Sequence, residues 1–342
     1  MSPQREQIDS LVQKNGIVQA AARTGVAGVV YTYRCTIACR HCGFGGKQNC
    51  PDIRMDRGQL LEALRLLHES GRVVHIAGGE PMLYWDALVA DLAVAKREGL
   101  APHFIETNCS WATSDAAVTD RLEKLRRLGL VGILMSADPF HQAHVPPERF
   151  LRVRRIAREL LGSENVWCPD VPDARIQEYA RIARDEKLLG EHVRAHPPMM
   201  VGSAHATLRE FLDGYPIEQV PLTHGWQESY ATRECAPEFD RRTMWEIHVD
   251  PYGNIQTNCG VVLGNVADSS VEQVLHNGPA EANWATRILS REGPFGLLVL
   301  AEQRGFEPPK EVVSKCDLCY QVRRFLRAMH PEVFGPAELY DG

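Results

Sequence analysis

The sequence predicts an α/β protein: an open, partial (β/α)6 barrel of the TIM type, followed by a smaller α+β domain. Short apolar runs alternate with longer amphipathic ones from residue 27 to about residue 200, which is typical of a parallel sheet with helical crossovers. Six such units are too few to close an eight-stranded barrel. After residue 205 the pattern changes to a hairpin and further helices. We therefore expect a helical extension at 1–26, the partial barrel at 27–204 and the second domain at 205–342.

Six apolar runs are the predicted strands of the barrel. They are AGVVYTYR (27–34), RVVHIAG (72–78), PHFIETN (102–108), VGILMSA (131–137), NVWCP (165–169) and VRAHPPMMVG (193–202). In a barrel of this kind, functional side chains gather where the strands end. The residues that follow each run are therefore the first candidates for a site.

Helix boundaries are visible between these runs. Asp56 with Gln59 forms a capping-box pattern at the start of one helix, and Ser114 is placed to cap another. The second helix has one apolar stripe, made by leucines at three-residue spacing: Leu122, Leu125 and Leu128. In the C-terminal part, the turn-rich residues 250–254 lie between alternating apolar positions and predict a hairpin.

Composition narrows the range of functions. The chain has 342 residues, 44% of them hydrophobic, and a formal net charge of −6, which argues against a nucleic-acid partner. The polar start MSPQREQIDS does not resemble a signal peptide, and apolar runs such as GLLVLA (296–301) are too short to cross a bilayer. We expect a cytoplasmic protein without a membrane partner. In that reducing compartment its ten cysteines are better explained as metal ligands or reactive thiols than as disulfides.

Three cysteines lie close together in CTIACRHCGFGG, residues 35–46, directly after the first predicted strand. Cys35, Cys39 and Cys42 have C-x3-C-x2-C spacing. Closely spaced thiolates hold iron–sulfur clusters, and a [4Fe–4S] cluster with three cysteine ligands keeps one iron open for another ligand. A zinc site completed by a distant ligand or by His41 is the alternative, because spacing alone does not fix the metal.

A second motif, AGGEP at residues 77–81, follows the second predicted strand. Gly78 and Gly79 allow the backbone to approach a ligand closely, and Glu80 adds a carboxylate that can accept a hydrogen bond from an ammonium group. Alone this is an ordinary turn. Together with the cysteine loop it favours a cofactor site.

The two motifs together resemble those of the radical S-adenosylmethionine (SAM) enzymes. The resemblance includes the ring residue His41 before the last cysteine of the loop and the turn that ends at Pro81. MSADPFHQ (135–142), at the end of the fourth strand, is similar to the family's ribose-contacting segment. The resemblance covers about residues 27–200 and favours a cluster over zinc in the cysteine loop.

Membership of this family implies a definite chemistry. The SAM amino and carboxylate groups fill the open iron position, and an electron from the [4Fe–4S] cluster cleaves SAM to methionine and a 5′-deoxyadenosyl radical, which takes hydrogen from a substrate. It also implies an electron donor such as flavodoxin or ferredoxin. The residues expected to contact the cofactor are Gly78, Gly79, Glu80, Pro81, Asn108, Ser136 and Asp138.

A second set of cysteines lies in the C-terminal part: Cys235, Cys259, Cys316 and Cys319, the last two as C-x2-C. It resembles the twitch domain, in which some radical SAM enzymes hold one auxiliary [4Fe–4S] cluster. The longer SPASM version needs more cysteines than this chain has. The match is imperfect, because five residues separate Gly253 from Cys259 where the family pattern has four. A four-cysteine zinc site is the alternative.

Three cysteines remain: Cys50, Cys109 and Cys168. Cys109 and Cys168 end the third and fifth predicted strands, so they lie near the expected site. Each is explained most simply as a small buried residue. The catalytic alternative is a thiol that returns a hydrogen atom to a substrate radical, as in related epimerases, and for that role we favour Cys109 over Cys168.

The predicted function is hydrogen abstraction from an unactivated C–H bond of a small molecule or peptide. We favour oxidation, cross-linking or epimerisation of a peptide or other natural-product intermediate, and a sugar or aminocyclitol dehydrogenase or epimerase is the alternative. Only 26 residues precede the first predicted strand, too few for a fused peptide-recognition domain. The alternative of another class is a non-catalytic scaffold protein with zinc at both cysteine sets.

Overall fold

The computed structural model describes residues 2–222, 232–240, 244–268, 274 and 278–340. The chain forms two compact units. The first contains Met1–Cys39, Lys47–Asp185 and Glu246–Gly253, and the second contains Arg40–Gly46, Glu186–Trp245 and Asn254–Gly342. The first unit therefore includes one segment from beyond residue 205. No helix within these described ranges has both the length and the hydropathy needed to cross a membrane.

The first unit is built on a parallel sheet, which confirms the predicted α/β class. Its strands are β1 Val26–Val30, β2 Val73–Ala77, β3 Phe104–Thr107, β4 Gly132–Met135, β5 Val166–Trp167 and β6 Glu246–Val249. Their order is β5-β4-β3-β2-β1-β6, and every pair of neighbours is parallel. The first five predicted strands are confirmed, and their consecutive order is that of a partial barrel.

The sixth predicted strand is wrong. Residues 193–202 begin inside a helix, Glu186–Ala195, and contain no strand. Pro197 and Pro198 lack the backbone N–H groups that a central strand donates, which explains why this run cannot extend the sheet. The sixth strand is instead β6, the first arm of the predicted hairpin, and it pairs with β1 rather than with β5.

Helices connect the strands of the first unit. They are α1 Pro3–Thr24, α2 Arg57–Glu69, α3 Trp85–Arg97, α4 Asp115–Arg127, α5 Pro139–Gln142, α6 Pro147–Leu161 and α7 Asp173–Ile182. Both predicted caps are confirmed: Asp56 and Gln59 form a capping box at α2, and Ser114 accepts a hydrogen bond from Ala117 N at α4. The leucine stripe of α4 is buried as well.

Helix α1 packs on the beginning of the sheet. Its residues Ile8, Val12 and Ile17 form a buried cluster with Val26 of β1 and with the first residues of β2 and β3. Burial of each large aliphatic side chain stabilises the fold by about 1.5–3 kcal/mol. This packing covers the amino ends of the strands, so ligand-binding residues are expected at their carboxyl ends.

In the part of the chain that the structure describes, the second unit consists mainly of helices and one hairpin. Its elements are α8 Glu186–Ala195, α9 Ser203–Leu208, α10 Ala236–Phe239, β7 Asn254–Thr257, β8 Val262–Asn265, α11 Trp284–Glu292, α12 Pro294–Glu302 and α13 Lys315–Arg327. Strands β7 and β8 are antiparallel, with an irregularity between Ile255 and Gln256. Helix α13 carries the C-x2-C cysteines in its first turns.

Candidate functional site

The Gly78–Pro81 turn is hydrogen-bonded to the chain that leads into the cysteine loop. Gly79 N donates to Thr32 O at 2.7 Å, and Glu80 N donates to Arg34 O at 3.1 Å. A Cβ atom on Gly78, whose φ is +136°, would lie 2.4 Å from Thr32 O, and one on Gly79 would lie 2.2 Å from Arg34 O. Only glycines allow this approach. The turn is thereby held beside the residue that precedes Cys35.

The carboxylate of Glu80 is buried and accepts hydrogen bonds from three protein groups. Its donors are Met82 N at 3.1 Å, Asn108 N at 2.8 Å and Thr107 Oγ1 at 3.0–3.1 Å. Burial raises the pKa of Glu80 to about 7, although the bonds from Asn108, Met82 and Thr107 act in the opposite direction. Glu80 therefore joins the turn after β2 to the turn after β3.

The Asn108 side chain lies next to the first cysteine of the loop. Its Nδ2 is 3.5 Å from Cys35 Sγ and donates to Thr36 Oγ1 at 3.1 Å. Thr36 and Ser110 share a hydrogen bond of 2.7 Å, and Ser110 N donates to Asn108 Oδ1 at 2.9 Å. Thr36 and Ser110 are functional candidates that the sequence interpretation did not identify. Thr36 lies inside the cysteine loop and Ser110 lies in the polar run TNCS (107–110) at the end of β3, and these positions were their only signals.

The three loop cysteines divide between the two compact units. Cys35 and Cys39 belong to the first unit and are both buried. Cys42 belongs to the second, where its Sγ accepts from Gly46 N at 3.3 Å and its carbonyl accepts from Ser203 N at 3.0 Å. Cys35 and Cys42 thus each have an N–H group directed at the sulfur, as cluster-ligating thiolates do.

Ser136 and Asp138 follow β4, as predicted. Ser136 N donates to Thr107 O at 3.2 Å, and Asp138 accepts from His141 N at 2.9 Å while its other oxygen lies 2.8 Å from His141 Nδ1. Burial lowers the pKa of His141, but Asp138 and then Cys39 raise it by more, so that it lies well above its usual value. Asp138 therefore begins a short helix and pairs with the imidazole of His141, which lies beside Cys39.

Cys109 and Cys168 differ in accessibility. Cys109 is fully buried with φ +64°, and its N–H donates to Thr107 Oγ1 at 3.1 Å. Burial, followed by the nearby charge of Glu80, raises its pKa well above the usual value, so the thiol keeps its proton. Cys168 is only partly buried, and burial raises its pKa as well.

The second set of cysteines surrounds one cavity in the second unit. Cys235, Cys259, Cys316 and Cys319 all line it, together with the cationic side chains of Lys315 and Arg323. Burial is the largest cause that raises the pKa values of Cys235, Cys259 and Cys316, and it brings that of Cys259 to about 11. Two buried cations next to four sulfurs suit a site whose ligands are thiolates.

The sulfur positions are wider apart than a zinc site requires. Four thiolates around zinc lie about 3.8 Å from one another, because each Zn–S bond is about 2.3 Å long. Among the described side chains, the groups of three or more ligand atoms within 4.8 Å of one another do not include these four cysteines. In this arrangement no three of the four sulfurs are grouped as they are around one zinc ion.

Comparison with family models agrees with the motifs. The family model described as the radical SAM superfamily matches residues 29–166. No curated protein gives a significant match. Among solved structures, BtrN in complex with AdoMet and 2-DOIA is similar at 14% identity with a TM-score of 0.40, over 79% of this chain and 89% of that one. Residues 29–166, which contain the cysteine loop, the Gly78–Pro81 turn and Asp138, are a radical SAM domain.

Proposed function

We propose that the chain is a radical SAM enzyme whose Cys35, Cys39 and Cys42 ligate a [4Fe–4S] cluster with one iron open to SAM. The family is enzymatic, and it implies this cluster and SAM. The observation that carries the proposal is the pair of hydrogen bonds from the Gly78–Pro81 turn to Thr32 and Arg34, because they hold the turn beside Cys35. When bound, the cluster and SAM supply a 5′-deoxyadenosyl radical that abstracts hydrogen from a substrate.

The residues of this chain orient those cofactors. Asn108 directs an N–H group at Cys35 Sγ, where it stabilises negative charge on the thiolate. The buried carboxylate of Glu80 accepts a hydrogen bond from the backbone N–H of Asn108 and thereby orients Asn108. Ser136 and Asp138 follow the neighbouring strand and are the proposed contacts to the SAM ribose.

The experiment is SAM cleavage by the reconstituted protein without oxygen. We expect the reduced wild-type protein to form 5′-deoxyadenosine, and Cys35→Ala, Cys39→Ala and Cys42→Ala to form none. Cys50→Ala is the matched control, because Cys50 is also a buried thiol near this loop. Absence of the product in wild type, or its persistence in all three variants, overturns the proposal.

We also propose that Cys235, Cys259, Cys316 and Cys319 hold one auxiliary [4Fe–4S] cluster. The support is their shared cavity and the buried cations Lys315 and Arg323. Four thiolates saturate the irons, so this cluster transfers electrons or stabilises the unit and does not bind substrate directly. Its electrons and those of the first cluster come from a donor such as flavodoxin or ferredoxin.

For the substrate we propose a peptide or other natural-product intermediate that is oxidised, cross-linked or epimerised, with a sugar or aminocyclitol as the alternative. Radical SAM enzymes use small-molecule substrates and reductants. If the reaction is an epimerisation, the structure favours Cys168 over Cys109 as the hydrogen donor, because Cys168 is only partly buried whereas Cys109 is enclosed.

Turnover in deuterated water separates these reactions. Solvent deuterium at a substrate carbon, lost in Cys168→Ala but kept in Cys109→Ala, supports epimerisation with Cys168 as donor. A product lighter by two hydrogens, unaffected by either substitution, supports oxidation. If Cys109→Ala abolishes deuterium incorporation and Cys168→Ala does not, the assignment of Cys168 as hydrogen donor is contradicted.

A further inference from the structure

A second group of metal-ligating side chains lies within the first unit and includes no cysteine. His75 of β2, Glu106 of β3, and Glu246 and His248 of β6 form this group, called here the His–Glu cluster. Both imidazoles are buried, and both carboxylates are largely buried. Four ionisable side chains rarely lie together in a protein interior unless they are paired with one another or coordinate a metal ion.

Gly28 makes the convergence of the two imidazoles possible. It lies on β1, between β2 and β6, and it pairs with His75 on one side and with His248 on the other. A Cβ atom at Gly28 would lie 2.3 Å from His75 Nε2 and 2.7 Å from His248 Cδ2. The space that any other side chain would fill is therefore occupied by the two rings.

The ligand atoms have the separations of a metal coordination shell. Glu246 Oε1 lies 3.0 Å from His248 Nε2 and 3.7 Å from His75 Nε2, and Glu106 Oε1 lies 3.3 Å from His75 Nε2. His75, Glu246 and His248 each offer one ligand atom within 4.8 Å of the other two. Donors around tetrahedral zinc lie about 3.3 Å apart, because Zn–N and Zn–O bonds are about 2.0–2.1 Å long.

The hydrogen bonding of His75 is incomplete without a further ligand. Its side chain is 0% exposed, and neither ring nitrogen makes a hydrogen bond to any residue that the structure describes. Buried polar atoms without a partner in the protein are rare, and a bound water or ion is a common reason for them. Imidazole nitrogens and carboxylate oxygens are both common ligands of divalent transition-metal ions.

We propose that His75, Glu246 and His248 bind one divalent transition-metal ion, with Glu106 at the fourth position. Imidazole and carboxylate ligands without sulfur suit zinc or ferrous iron. Such an ion would connect β2, β3 and β6 across the glycine of β1, and so fasten β6 to the sheet. None of these proposed ligands belongs to either cysteine set.

The test uses the reconstituted holoenzyme, incubated with Zn²⁺ and dialysed, with zinc, iron and sulfide measured together. We expect one zinc ion per chain in wild type and its loss in His75→Ala and in the near-isosteric Glu246→Gln, with iron and sulfide unchanged. His103→Ala is the control, because His103 is also a buried histidine of the first unit but has partners for both nitrogens, Val74 N and Asp9. It should keep the zinc.

Cobalt substitution identifies the ligands without an activity assay. We expect Co²⁺ in the wild-type holoenzyme to show d–d bands without the sulfur-to-cobalt charge transfer that cysteine ligation produces. A thiolate charge-transfer band, the absence of zinc in wild type, or full zinc retention in both His75→Ala and Glu246→Gln overturns the proposal. Because iron and sulfide report separately on the clusters, failure here leaves the radical SAM proposal intact.

Discussion

The carboxylate of Glu80 and the backbone N–H of Asn108 are joined by a hydrogen bond of 2.8 Å. This bond connects the turn after β2 to the turn after β3, and the side chain of Asn108 continues the connection to Cys35 Sγ. The glutamate of the GGEP motif thus supports the cysteine loop from a buried position. Glu80 therefore helps to fix the position of Asn108 beside Cys35.

Glu80 makes stability depend on pH. Its pKa is about 7 in the folded protein and 4.5 when unperturbed, so between these values the folded state binds more protons and loses stability as pH rises. From pH 6 to pH 8 this group alone should lower the free energy of unfolding by about 1 kcal/mol. Denaturant unfolding at pH 6, 7 and 8 measures it. Glu80→Gln should flatten this dependence, and an unchanged slope in the variant contradicts the assignment.

Asn108 should tune the first cluster. Removing its N–H in Asn108→Leu takes away a hydrogen bond that stabilises the more negative, reduced state. For a bond worth about 1 kcal/mol, the one-electron reduction potential should fall by about 40 mV. A redox titration followed by electron paramagnetic resonance measures the shift. Ser110→Ala, which alters the same network without contacting Cys35, is the control and should move the potential much less.

Gly79 should tolerate no side chain. A Cβ atom there would lie 2.2 Å from Arg34 O, so Gly79→Ala must displace the turn from the chain before Cys35. We expect SAM cleavage to fall at least about tenfold, which corresponds to about 1.4 kcal/mol in the barrier. Gly58→Ala is the control, because Gly58 lies in helix α2 and a Cβ atom there would meet only the side-chain atom Asp56 Oδ1, at 3.3 Å. Equal rates in the two variants would show that the turn does not position the cofactor.

The auxiliary cysteines should account for half of the bound iron. Wild type should contain about eight irons per chain, and a Cys316→Ala, Cys319→Ala double variant about four, because each [4Fe–4S] cluster holds four. Iron and acid-labile sulfide analysis checks this, with Cys168→Ala as a control that keeps all eight. Zinc at this cavity in wild type, with no sulfide beyond that of one cluster, contradicts the prediction.

Short sequence patterns predicted the features of the fold that depend on residues close together in the chain. The capping residues Asp56 and Ser114, the first five strands and the two motifs after β1 and β2 depend on neighbours in the chain, and the structure confirms those helices and strands. Pro197 and Pro198 were a local signal against a strand at residues 193–202, but the apolar residues around them favoured the wrong prediction.

Contacts between residues far apart in the sequence could not be predicted from such local patterns. The partner of β6 is β1, more than 200 residues earlier, and no residue type in either strand specifies that partner. The same applies to His75 and His248, which meet only because β2 and β6 flank Gly28. Thr36 and Ser110 likewise become neighbours through the fold, although each lies near a recognisable motif.

Mössbauer spectroscopy of the first cluster tests the central claim most directly. In a ⁵⁷Fe-reconstituted Cys316→Ala, Cys319→Ala variant, Cys35, Cys39 and Cys42 should hold a single [4Fe–4S] cluster. Addition of SAM should then change the signal of one iron in four, because that iron alone lacks a cysteine ligand. Four irons that do not respond to SAM, or a loop that holds zinc in place of the cluster, would contradict the account.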